Sequence, residues 1–165
     1  MRLTGKTRTL RGTLTFPDQA DPTIPNSGKR LLVLDDGRIN VGYKIIDFRI
    51  WASDMIGNQS TGRDTSAQAH LALSLEPVAT ALPKASDNRE IGWSCYNGNG
   101  FRTTYWNLVD PDHIVVRDLQ IVMPKVFNQG YEASVNYYIL MEEYEITDTE
   151  AIISIIKEES QDVFN

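Results

Sequence analysis

What most constrains this chain is a period of two. Apolar and polar residues alternate over short segments, and each segment is closed by Gly, Pro, Asn or Asp. In "TRTLRGTLTF" (residues 7–16), Leu10, Leu14 and Phe16 share one parity, and Thr9, Arg11, Thr13 and Thr15 share the other. Successive side chains of a strand point to opposite faces, so this pattern predicts a strand with one face buried. Gly12 marks a candidate kink within it. "PDQADPTIPNSGK" follows with neither strand nor helix period and predicts a loop.

"RLLVL" then meets Asp36-Gly37, a pair suited to the positive φ of a hairpin turn, which predicts that "NVGYKIIDFRIW" returns alongside it. In that strand the apolar phase flips. Val41, Tyr43 and Ile45 share one parity, and Ile46, Phe48 and Ile50 share the opposite one. A β-bulge at Ile45-Ile46 would put both triplets on the core side and send Asp47 and Arg49 to solvent. "SDMIGNQSTGRDTSAQ" predicts a polar loop. The next strand, "AHLALSLEPV", turns Leu71, Leu73 and Leu75 inward and His70 outward. "REIGWSCY" puts Ile91, Trp93 and Cys95 on one core face, with "NGNG" as a turn into "FRTTYWNLV". "IVVRDLQIVM" ends at Pro124, and "SVNYYILMEEYEI" is the last and longest strand.

The count is about eight strands, which predicts an all-β fold, an antiparallel β-sandwich or jelly roll. At 165 residues the chain has room for one sizeable core. The predicted domain covers 1–146, and 147–165 forms a helix and tail. Thr147 and Glu150 fit a capping box, with Asp148 and Glu150 at the positive end of the helix dipole. Ile152, Ile153, Ile155 and Ile156 give the helix a wide apolar face. That face covers either an edge of its own sheet or a groove on a neighbour.

Charge divides the two ends. Arg2, Lys6, Arg8 and Arg11 precede the first acid, Asp18, whereas residues 132–165 hold nine acids against Lys157 alone. A net charge of −6 argues against nucleic acid as the main partner. Opposite ends suit docking of one copy on another, and the plainer expectation is two solvated surfaces that never meet.

Sites of chemistry are few. One cysteine, Cys95, excludes a disulfide scaffold. The absence of an apolar leader or span in this sequence predicts a soluble chain folded in a reducing compartment. His70 and His113 lack paired metal-ligand spacing, and no phosphate or dinucleotide loop is present, so neither catalysis nor a cofactor is expected. "DPDH" (Asp110, Asp112, His113) could face a divalent cation, but a turn built from Asp and Pro accounts for the same residues. The aromatic cluster of Tyr96, Phe101, Arg102, Tyr105 and Trp106 is a candidate platform for a glycan, with Trp93 assigned to the core and at most one of Tyr105 and Trp106 facing out.

In architecture the chain resembles virion structural proteins of single jelly-roll type. The features that carry the resemblance are the basic "MRLTGKTRTLRG", the loops "PDQADPTIPNSG" and "SDMIGNQSTGRDTSAQ", and the terminal "TDTEAIISIIKEESQD". It implies a non-enzymatic subunit that oligomerises with itself or with other virion subunits through terminal arms. The acidic balance departs from a genome-lining coat and points to an outer, vertex or connector position in a virion assembled in the host cytoplasm.

Overall fold

The computed structural model describes residues 1–16, 28–34, 37, 38, 40–52, 64–73, 89–99, 102–123 and 133–160. They form β1 (Arg2–Phe16), β2 (Gly28–Val33), β3 (Val41–Ala52), β4 (Asp64–Ala72), β5 (Glu90–Asn99), β6 (Arg102–Val109), β7 (Asp118–Met123), β8 (Ala133–Glu145) and α1 (Asp148–Ser160). Two antiparallel sheets result, one of three strands in the order β1-β8-β3 and one of five in the order β2-β7-β4-β5-β6. The all-β expectation holds.

The sheets face each other across one core. Leu14, Ile45, Phe48, Ile50, Tyr137 and Ile139 come from the smaller sheet, and Leu32, Leu71, Ile91, Leu119, Ile121 and Met123 from the larger. Large apolar side chains buried from both faces supply most of the stabilisation, at roughly 1.5–3 kcal/mol each. Gly12 is not a kink. It stays in register opposite Tyr137, whose ring covers it so closely that a Cβ would lie 2.7 Å from the phenol oxygen.

The predicted bulge in β3 is present, since pairing with β8 slips between Ile45 and Asp47. The inserted residue is Ile46, however, and it is 44% exposed while Phe48 is fully buried. The bulge therefore rephases the strand by ejecting one isoleucine instead of burying both triplets. A second bulge was not foreseen. Leu71 pairs with Gly92 and Ala72 with Glu90, which leaves Ile91 as the extra residue of β5. Ile91 stays in the core, but every later residue of β5 changes face: Ser94 and Tyr96 turn inward, and Trp93 and Cys95 turn to the outer face.

Other expectations change too. β2 pairs with β7 and β3 with β8, so the Asp36-Gly37 turn carries the chain from one sheet to the other and is not a hairpin. Gly37 has the positive φ expected, at 84°, while Asp36 lies outside the described residues. β5 runs through Asn99, which pairs with Arg102, so Asn97, Gly98 and Asn99 of the predicted "NGNG" turn are strand. β4 begins at Asp64, inside the predicted polar loop; Leu75 lies outside the described residues. The longest strand is β1 and not β8, because the basic segment from Arg2 is itself strand paired to β8.

Helix α1 starts as its sequence dictates. The Thr147 N–H donates to Glu150 Oε2 at 2.8 Å, and the Glu150 N–H donates to Thr147 Oγ1 at 3.3 Å, closing the capping box. The helix docks on its own domain through Ala151, which packs with Val116, Ile146, Ile114 and Tyr144.

Candidate functional site

The open edge of β3 and the edge strand β6 enclose a groove of about 400 Å³ lined by Arg49, Ile50, Trp51, Ser94, Tyr105, Trp106 and Asn107. β3 ends the three-stranded sheet and β6 ends the five-stranded one, so the groove lies between one edge of each sheet. Near the start of β3, Tyr43 bonds in both directions with the backbone of Val115, at 2.8 Å each. Further along, the Ile50 N–H donates to Ser94 Oγ at 3.1 Å, so a side chain of the facing sheet closes that peptide.

Two polar groups of the groove are held by Asp47. Arg49 Nε donates to Asp47 Oδ2 at 2.7 Å, and Asn107 Nδ2 donates to Asp47 Oδ1 at 2.8 Å. One carboxylate thus fixes a guanidinium and an amide from two sheets. Tyr105 and Trp106 are each 53% exposed. Their neighbouring parities did not force one inward, because an edge strand leaves both faces partly open to solvent.

Of the predicted platform, the structure brings Tyr105 and Trp106 together here. Tyr96 does not join them. It is buried in the core, and burial, followed by the neighbouring Tyr105, pushes its phenol pKa up. Phe101 and the Arg102 side chain lie outside the described residues. Arg49, Trp51, Ser94 and Asn107 were missed. Their own alternation carries no sign that β6 stands opposite β3, since that pairing of edges is a property of topology.

A second polar cluster sits on the outer face of the five-stranded sheet. His70 and Glu90 are buried, with His70 Nε2 3.6 Å from Glu90 Oε1, and Trp93 Nε1 donates to Glu90 Oε2 at 2.8 Å. His70 faces outward as expected but is buried there, and Trp93, expected in the core, faces outward beside it. The bulge at Ile91 places them side by side on the outer face. Cys95, expected in the core, is half-buried opposite Trp106. Burial pushes its thiol pKa up, against the pull of a backbone hydrogen bond from Trp106. That is the opposite of what a thiolate nucleophile needs.

In "DPDH", Asp110 Oδ1 accepts the Asp112 N–H at 2.9 Å, and Asp110 Oδ2 lies 3.0 Å from His113 Nδ1. The carboxylate is occupied in building the turn.

The charged ends do meet, within one chain. The Met1 ammonium reaches Glu150 Oε1 at 3.0 Å. Glu143 lies 3.5 Å from Lys6 and 3.7 Å from Arg38. Arg8 donates to Leu34 O and to the Tyr43 hydroxyl, both at 3.3 Å, with its guanidinium 5.3 Å from the Tyr43 ring centroid. Arg2 and Arg11 are exposed and carry no ion pair among the described residues. On α1, Ile152, Ile153 and Ile156 are 48–56% exposed, and the Ile155 side chain lies outside the described residues. Among the described residues no helix is long and apolar enough to cross a membrane. Compared with family models, with curated proteins and with solved structures, the chain matches none.

Proposed function

We propose that the chain is a structural subunit of single jelly-roll type that assembles with copies of itself, in a virion at an outer, vertex or connector position. The observation that carries this reading is the strand order. β1 pairs with β8, β2 with β7 and β4 with β5, each antiparallel and each pair summing to nine. A long hairpin of eight strands rolled onto itself produces that series. The remaining pair, β3 with β6, is open, and β6 extends the sheet beyond β5.

The assembly surface is the helical end. Exposed Ile152, Ile153 and Ile156 lie on a helix whose first turn holds Met1, and Met1 and Leu3 are exposed as well. The occupant is a second copy. β1 is the open edge of its sheet and presents Arg2 and Arg11, which carry no ion pair among the described residues and complement the acidic first turn of a neighbour's α1. The virion setting comes from the family resemblance, and the acidic balance suits a place away from the genome.

Light scattering on a sizing column tests the reading. The full chain is expected as a defined oligomer. A variant carrying Ile152→Ser, Ile153→Ser and Ile156→Ser is expected as a folded monomer, because Ala151 still anchors the helix. A wild-type chain that stays monomeric across concentration overturns the reading.

A further inference from the structure

We infer that the groove between β3 and β6 is a binding site for a neutral carbohydrate, one or two sugar rings of an oligosaccharide. The inference does not rest on the assembly reading. Three observations carry it. The groove's volume, about 400 Å³, lies within the roughly 300–1,000 Å³ range of small-ligand sites. Its walls hold Tyr105, Trp106 and Trp51, with the first two about half-exposed, so aromatic surface is available to stack on the apolar C–H face of a sugar.

Its polar groups are positioned in advance. Asp47 anchors Arg49 through Nε and Asn107 through Nδ2, leaving the terminal guanidinium nitrogens and the amide oxygen of Asn107 to serve hydroxyls as donors and an acceptor. Orientation fixed before binding lowers the ordering cost of each hydrogen bond.

Charge decides the ligand class. Arg49 is neutralised by Asp47 at 2.7 Å, and the other described lining residues are uncharged. A phosphate or sulfate entering here would meet the Asp47 carboxylate beside the guanidinium, without a second cation among the described lining residues to offset it. A nucleic-acid strand faces the same obstacle and a chain of net charge −6 besides. A neutral polyol pairs with donors and acceptors alike and suffers neither repulsion.

The test is an array of neutral, sialylated and sulfated oligosaccharides probed with the full chain, followed by titration of any hit by tryptophan fluorescence. Neutral glycans are expected to bind. Trp106→Ala and, separately, Arg49→Gln are expected to weaken binding about tenfold or more while the melting temperature stays within a few degrees. Arg49 is a surface residue, so the second variant keeps the test valid if the first unfolds. A blank array overturns the inference. So does binding that survives both substitutions, and binding confined to sialylated or sulfated glycans overturns the assignment to neutral ligands.

Discussion

The two sheets bury their residues by different rules. In the three-stranded sheet one face is core and the other meets water: Ile45, Phe48, Tyr137, Ile139 and Met141 are buried, whereas Thr9, Arg11, Thr13 and Arg49 are exposed. In the five-stranded sheet the central strands are buried on both faces. Leu71 and Ile121 face the core, and behind them His70, Glu90 and Gln120 are buried, with Ala72 and Val122 in a small cluster of their own. Alternation reports burial only where one face is wet. Where both faces are covered, a polar residue at an outward position is an interior residue that must find a partner.

The sharpest way to break this comparison is to cut the same strand on either side of its bulge. Phe48→Ala is expected to cost about 4 kcal/mol, since an aromatic ring leaves a fully buried site. Ile46→Ala, two residues away on a side chain 44% exposed, is expected to cost less than about 1 kcal/mol. Urea unfolding gives both numbers. Equal costs would mean that Ile46 is packed in solution and that the bulge lies elsewhere.

The sheets can then be set against each other. Glu90→Ala is expected to cost about 3 kcal/mol, because it strips the part-buried Trp93 Nε1 of its carboxylate acceptor and removes the polar group that faces the buried His70. Thr9→Ala, on the wet face of β1, is expected within about 0.5 kcal/mol of wild type. Little effect from Glu90→Ala would mean that the outer face of the five-stranded sheet is as solvated as that of its partner.

The same contrast explains what was legible in the sequence. In the smaller sheet, β1 from Thr7, β8 and the place of the bulge in β3 follow from alternation, and the capped helix follows from Thr147 and Glu150, whereas Arg2 to Lys6 carry no alternation that marks them as strand. Trp93 and Cys95 were misplaced because one inserted residue, Ile91, inverts the parity of β5 against the local pattern, in which Ile91, Trp93 and Cys95 alternate with Glu90, Gly92 and Ser94. The groove was half legible. Tyr105 and Trp106 announce themselves as aromatics near a turn, but Arg49 and Asn107 become neighbours only because β3 and β6 end different sheets.

The smallest expected effect lies where the fold turns from sheet to helix. Thr147→Ala removes the side-chain half of the capping box and is expected to cost about 1 kcal/mol. The Glu150 carboxyl pKa is held below the usual glutamate range, first by the backbone N–H of Thr147, then by the Met1 ammonium and the Thr147 hydroxyl. A folded-state pKa below the unfolded one means that the unfolded chain binds the proton more tightly. The contribution is therefore present above the ordinary glutamate value and is lost as pH falls through the depressed one. An NMR titration of the Glu150 side-chain carbonyl should give a midpoint below that of an exposed glutamate, and Thr147→Ala should move it part of the way back. A midpoint at the ordinary value would mean that neither Thr147 nor Met1 holds Glu150 in solution. The Met1–Glu150 contact would then be absent, leaving the pairing of β1 with β8 to join the two ends of the chain and Ala151 to dock α1.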